Sequence, residues 1–310
     1  VTEPPAVTAA DELPLPTYPA ASGELAAWTL LQKARVGCGF GPLEQSAKLD
    51  AASRAHGQYL LAEGSNGSFA IGHAETNGNN PYYTGHFATD RAVYAGYGPY
   101  VTELLAASTE TYVPAPPATM PTAAARGERD MQSLLNSVAH LSGAMSGSRL
   151  AGLATVTASN QITTSRGTPK FIVNHRLGML LGNQESQQLL GAGQVAGYPC
   201  TGSTDIAYTF APATEEPNPF PEITDKSVQV GPPIYLRADV GSDLRVTTFT
   251  LKNASGVDHP VRNDAVPRQG HEFFMVPKNP LAPATRYTVH LEGTANGAAF
   301  VRDFEFRTRS

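Results

Sequence analysis

The sequence predicts an α+β chain in two unequal parts. Apolar residues recur at helical spacing through roughly the first 140 residues, and strand-like runs replace them afterwards. A proline-rich stretch, Glu215-Glu216-Pro217-Asn218-Pro219-Phe220-Pro221, then precedes a region in which the helical signal is gone. Helices followed by strands, rather than an alternating βαβ series, place the first part in the α+β class. The division expected is 20–212 for the mixed domain, 213–221 for a linker and 222–310 for an all-β domain.

Ser22 can cap a helix over Gly23–Arg35, with Glu24 in the first turn and Leu25, Trp28 and Leu31 on one face. Gly37, Gly39 and Gly41 end it. A second helix follows Pro42, where Leu49, Ala52, His56, Tyr59 and Leu60 share a face before Gly64. The pattern then breaks through Asn79-Asn80-Pro81 to Gly85-His86. Thr89 is the expected cap of a short helix that stops at Gly96, and Pro114–Thr122 is expected to be a surface loop. Asp130 should open a fourth helix carrying Met131, Leu134, Leu135 and Val138. Strands are expected at 149–157, 170–181 and 206–210.

Beyond the proline-rich stretch, Tyr287, Val289 and Leu291 alternate with Thr288, His290 and Glu292, and Phe304 and Phe306 alternate with charged residues. With runs at 234–240, 246–252 and 272–276 this reads as a small β-sandwich, and Tyr287 stands where such folds carry a tyrosine corner.

Composition narrows the function classes. A net charge of -5 argues against a nucleic-acid partner, whose phosphates call for a cationic surplus. No apolar run is long enough to span a bilayer. Charged residues make up only 16%, and lysine is scarce. The first twenty residues, with Pro4, Pro5, Pro14, Pro16 and Pro19, read as an extended mature N-terminus left by signal-peptide removal. The two cysteines, Cys38 and Cys200, form no CxxC motif and cannot build a structural zinc site alone. Both lie among turn residues and are expected to pair across a loop of roughly 160 residues, which favours folding by about 5 kcal/mol. These features together point to a secreted or periplasmic protein.

Several catalytic signatures are absent: HExxH, GxSxG and a Walker loop. The glycines at 37, 39 and 41 meet Pro42 where a dinucleotide fingerprint needs glycine, and His73-Ala74-Glu75 lacks the CxxC of a zinc deaminase. What remains is His73, Glu103 and His140. Two imidazoles and a carboxylate converging on a cleft can hold a divalent metal such as Zn²⁺ weakly, or act as acid and base; a hydrogen-bonded structural network is the alternative. His56 and His175 read as core histidines, and Asp90 and Arg91 as helix-start and surface ion-pair residues. Asn66-Gly67-Ser68 and Asn253-Ala254-Ser255 match the glycosylation triplet.

These motifs, in this order, resemble the CAP superfamily (cysteine-rich secretory, antigen 5 and pathogenesis-related 1 proteins), in particular its bacterial SCP-like branch. The resemblance covers about 20–212. It is carried by Trp28-x-x-Leu31-x-x-Ala34-Arg35 with Cys38-Gly39-Phe40-Gly41-Pro42, by Leu49-x-x-Ala52-x-x-Ala55-His56-x-x-Tyr59-Leu60, by Gly72-His73-x-Glu75, by Gly85 with Asp90-Arg91 and Gly96-Tyr97, and by Ser137-x-x-His140. It implies a three-layer α-β-α sandwich, followed here by an Ig-like β-sandwich. It further implies a cavity lined by His73, Glu103 and His140, with Glu75 and Ser137 beside them. Leu104 stands in place of the family's asparagine after that glutamate, and Leu134 in place of a tryptophan before the SxxH.

The function implied is a secreted, non-enzymatic protein that binds a small apolar or amphipathic ligand, of the lipid or sterol class, near His73 and His140. A hydrolase or peptidase using His73, Glu103 and His140 is the alternative from another class, and a cell-envelope interaction module is a third.

Overall fold

A computed structural model describes residues 15–64, 72–266 and 269–310. The N-terminal prolines before residue 15 and the Asn66 triplet lie outside the described residues. The helices are α1 (Gly23–Gly37), α2 (Ala47–Glu63), α3 (Ala88–Tyr94), α4 (Ala123–Leu135) and α5 (Val138–Ala144). The strands are β1 (Glu44–Gln45), β2 (Val101–Tyr112), β3 (Leu150–Thr163), β4 (Pro169–Gly182), β5 (Ala196–Tyr198), β6 (Ser203–Ile206), β7 (Ile234–Arg237), β8 (Leu244–Asn253), β9 (Val261–Arg262), β10 (Glu272–Pro277), β11 (Arg286–Ala295) and β12 (Ala298–Thr308).

The twelve strands form three four-stranded sheets, ordered β1-β3-β4-β2, β5-β7-β10-β9 and β6-β12-β11-β8. This corrects the expected fold class. The described residues are mostly β, with 22% helix, and do not form a three-layer α-β-α CAP sandwich. The physical reason lies in the core. Leu31 of α1, Met131 of α4 and Leu141 of α5 share one apolar cluster with Leu104, Leu153 and Met179 of the first sheet, and that cluster continues into Tyr235, Phe274 and Val276 of the second sheet. Phe40 stacks on Tyr235 with ring centroids 6.1 Å apart, and Tyr235 meets Phe274 at 4.8 Å. Strands β5 and β6, which precede the proline-rich stretch in sequence, pair with β7 and β12 beyond it.

The proline-rich stretch itself is built into this core rather than left as an open tether. Glu215 and Phe220 are buried, and Phe220 packs in the shared cluster beneath the Arg262 guanidinium. Among the described residues no helix is long and apolar enough to cross a membrane.

Several local expectations meet their structural reasons here. Ser22 caps α1 through Leu25 N–H, 3.0 Å away. Thr89 lies inside α3 instead of capping it, because Asp90 Oδ2 accepts from Phe87 N–H at 2.9 Å and starts the helix two residues earlier. Asp130 sits in the middle of α4, whose cap is Thr122, the last residue of the proline-rich loop before it. A turn at Asn136–Ser137 breaks the expected fourth helix in two, so His140 belongs to α5. β2 was not among the expected strands, although Thr102, Leu104 and Ala106 alternate with Glu103, Leu105 and Ala107 along it. In the last sheet the Tyr287 hydroxyl accepts from Ala282 N–H at 2.8 Å, a link back to the preceding backbone like that of a tyrosine corner.

Cys38 at the end of α1 is bonded to Cys200 in the turn between β5 and β6. α1 also crosses α4 so closely that a Cβ at Gly127 would run into the Gly23 carbonyl. The bridge closes a loop of 162 residues. Replacing both cysteines with serine is expected to lower stability by about 2–5 kcal/mol, read from denaturant midpoints at constant slope. A loss under about 1 kcal/mol would show that packing alone holds the ends of the loop together.

Candidate functional site

Strand alternation sends Glu103 of β2 to the side of the sheet opposite Leu104, toward α2 and α3. There it meets three cationic or titratable groups. Arg91 Nη2 donates to its Oε1 at 2.6 Å, His73 Nδ1 lies 2.8 Å from Oε2, and His56 Nε2 is 4.0 Å from the same oxygen. Glu75 is the second carboxylate of this cluster. Its Oε1 is 2.9 Å from His56 Nδ1, its Oε2 accepts from Thr84 N–H, and Arg91 Nε stands 3.7 Å away. Arg91 also donates to the carbonyls of His73 and His86 through Nη1.

His56, Glu75 and Arg91 are fully buried, while the His73 side chain is 49% exposed. Arg91 is therefore no surface ion-pair residue: it is the central cation between two buried carboxylates. Burial alone would raise the Glu103 carboxyl, but the His73 hydrogen bond and the neighbouring His56 and Arg91 outweigh it and hold the group below the ordinary glutamate value. Glu103 is thus an anion that orients the half-exposed imidazole of His73.

His140 and Ser137 form a different cluster. The Ser137 hydroxyl is 2.7 Å from His140 Nδ1, and Glu215 Oε1 lies 3.3 Å from the same nitrogen. Glu215 also accepts from Val138 and Ala139 N–H, at 3.0 and 2.7 Å, fixing the start of α5. The two clusters flank the edge strand β2, and no hydrogen bond or ion pair joins His140 to His73 or Glu103 among the described residues. Nor do the described residues contain any group of three or more His, Cys, Asp or Glu able to hold a metal ion. The ligand set His73, Glu103 and His140 is corrected accordingly. His73 and Glu103 meet, while His140 is satisfied by Ser137 and by Glu215, a residue the sequence placed in a linker.

A third cluster lies on the α4 side of the first sheet. His175 Nδ1 is 2.7 Å from the Thr157 hydroxyl, and its Nε2 is 3.6 Å from Asp130 Oδ2, longer than a hydrogen bond. Burial pushes Asp130 up to about 6, against the pull of Arg129. Burial, with Arg126 and Arg129 beside it, pushes His175 down to about 4. Both groups are 2% exposed.

None of these clusters lines the cavity that opens beside the Cys38–Cys200 bridge. That cavity, about 250 Å³, opens where α1, α4 and the turn carrying Cys200 meet, and the Cys38–Cys200 bridge is part of its wall. Leu135, Ile206, Ala207, Pro232 and Pro233 form a buried apolar floor. Lys33, Glu128, Asp205 and Arg309 stand exposed around the mouth. No sequence motif marked this place, because its wall joins residues as far apart in sequence as Leu30 and Arg309. Only the two cysteines signalled that these segments meet. A smaller space of about 120 Å³ lies between α2 and α3 beside Arg91. No protein-family model matches the chain, and no curated protein matches it.

Arg91→Met leaves Glu75 and Glu103 buried without their cation, and is expected to cost about 3–5 kcal/mol in a denaturant titration. A cost under about 1 kcal/mol would show that His56 and His73 carry the charge balance unaided.

The Asp130–His175 pair predicts opposing pH effects. His175 binds its proton more weakly folded than unfolded, so it removes stability as pH falls from about 6.5 toward 4. Asp130 binds its proton more tightly folded, so it adds stability as pH falls from about 6 toward 3.8. The two nearly cancel in the native protein. Asp130→Asn should therefore expose a steeper loss of stability between about pH 6.5 and pH 4.5 than the parent shows, and His175→Gln a gain relative to it. Midpoints that run parallel in all three proteins would contradict these opposing shifts.

Proposed function

We propose that the chain is an exported, non-enzymatic protein that binds a small amphipathic molecule in the cavity beside the Cys38–Cys200 bridge. The observation that carries this reading is the cavity itself: a concave site with a buried apolar floor and a few polar groups at its mouth is the usual form of a small-molecule site. The resemblance to a family with lipid- and sterol-binding members points to the same class of function, although the space lies by the bridge and not beside His73 and His140. The disulfide accords with an oxidising compartment.

A second reading, acid/base hydrolysis, is favoured by one arrangement. His73 is half exposed, and its Nδ1 is held by a buried anionic carboxylate, which is how a general base is oriented.

Titration with 8-anilinonaphthalene-1-sulfonate separates the two. Binding in the cavity predicts saturable, blue-shifted fluorescence that Ala34→Trp, which fills the space from α1, abolishes and His73→Ala leaves intact. Fluorescence unaffected by Ala34→Trp would contradict the cavity reading. Turnover of an ester or peptide panel that disappears in His73→Ala would favour hydrolysis instead, and a parent protein inert on that panel would remove it.

A further inference from the structure

We propose that the cavity beside the bridge selects a zwitterion: a small molecule with an apolar body, an ammonium group and a carboxylate, of the amino-acid or short-peptide class. This rests on the reading that the cavity binds a ligand, and it narrows what that ligand is.

The mouth carries charges of both signs from four separate segments. Lys33 comes from α1 and Arg309 from the end of the chain after β12; Glu128 comes from α4 and Asp205 from β6. Among the described residues none of the four is engaged in an ion pair. Arg309 lies over the Tyr208 ring at 5.9 Å, and Asp205 accepts only a long contact, 3.4 Å, from the Thr204 hydroxyl. Four charges around one opening that do not neutralise one another leave two cations for an anionic group and two carboxylates for a cationic one.

A second, independent observation comes from the wall. Asn136 in the turn after α4 donates its amide N–H to the Thr209 carbonyl at 2.6 Å, which fixes the side chain. Its Oδ1 is buried and has no hydrogen-bond partner among the described residues. A buried acceptor without a donor is unfavourable, and a ligand N–H beside Asn136 would relieve it once this side chain turns its Oδ1 toward the cavity that Asn136 lines. An ammonium or peptide N–H supplies that donor; a hydrocarbon or a sterol ring does not. A fatty acid fits less well for a separate reason: its lone carboxylate would satisfy Lys33 and Arg309 while facing Glu128 and Asp205 with nothing to offer them. Discrimination here comes as much from these unmet charges as from new contacts.

Calorimetric titration of the full chain at low salt, where exposed charges are least screened, tests the proposal with three peptides of one apolar body. Leucyl-leucine carries both charges, N-acetyl-leucyl-leucine lacks the ammonium, and leucyl-leucinamide lacks the carboxylate. The free dipeptide is expected to bind, and each capped form to bind about tenfold more weakly or less. Lys33→Met with Arg309→Met should abolish the difference between leucyl-leucine and its amide while leaving the penalty for acetylation. Equal binding of all three peptides would overturn the charge selection. Binding of 8-anilinonaphthalene-1-sulfonate with no binding of any peptide would overturn the zwitterion and leave the cavity reading standing. Failure of the dye and of all three peptides would overturn both.

Discussion

The covalent tie between the end of α1 and the turn after β5 is the constraint on which the rest of the arrangement depends. It fastens the helical side of the first sheet to the segment that supplies strands to the other two sheets. Beside it, the same parts are joined by packing, by the Asn136 bond to the Thr209 carbonyl and by polar contacts at both ends of α5. Those contacts are numerous. Arg35 is fully buried and donates to the carbonyls of Ala144 and Ser146, and Arg237 donates to that of Met145. Two guanidiniums thus close the free carbonyls of one short helix, where cations are favoured. Burial and the nearby Arg237 pull Arg35 down to about 9, so its charge persists at neutral pH.

The three polar clusters and the cavity beside the bridge occupy different places. Each cluster is a solution to burying charge. Arg91 lies between Glu75 and Glu103; Glu215 satisfies the start of α5 and His140; burial shifts Asp130 and His175 in opposite directions, so that the acid is pushed up and the imidazole down. In the first two clusters the charges are met largely from within, and the outer face of His73 is the part of them open to solvent. The cavity has the reverse character, with an apolar floor and a rim whose charges are unspent.

Much of the local structure was legible in the sequence. The helical face of Trp28 and Leu31, the apolar face and C-terminal end of α2, the long strands β3 and β4 and the alternation in β11 and β12 all follow from local signals, because each is decided within one element. Meeting places of distant residues were legible only where chemistry marked them. Two cysteines in turns announced their pairing, and His73 with Glu103 converged as expected. The resemblance misled on architecture because its motifs are spent on helices and turns of the first sheet. They carry no information on Tyr235 and Phe274, which extend that sheet's core into a second one. Glu215 was misread for a similar reason: prolines on either side suggest a linker, but a buried carboxylate bound to three backbone N–H groups of α5 makes it an anchor.

The most direct test of the account is where a bound molecule touches the protein. Amide resonances of the ¹⁵N-labelled chain, followed during titration with 8-anilinonaphthalene-1-sulfonate, report this residue by residue. The account predicts shifts concentrated at Gly37, Cys38, Asn136, Gly202 and Ser203, around the bridge and the cavity wall. Shifts centred instead on His73, Glu75 and Glu103 would contradict it and return the binding site to the buried carboxylate cluster.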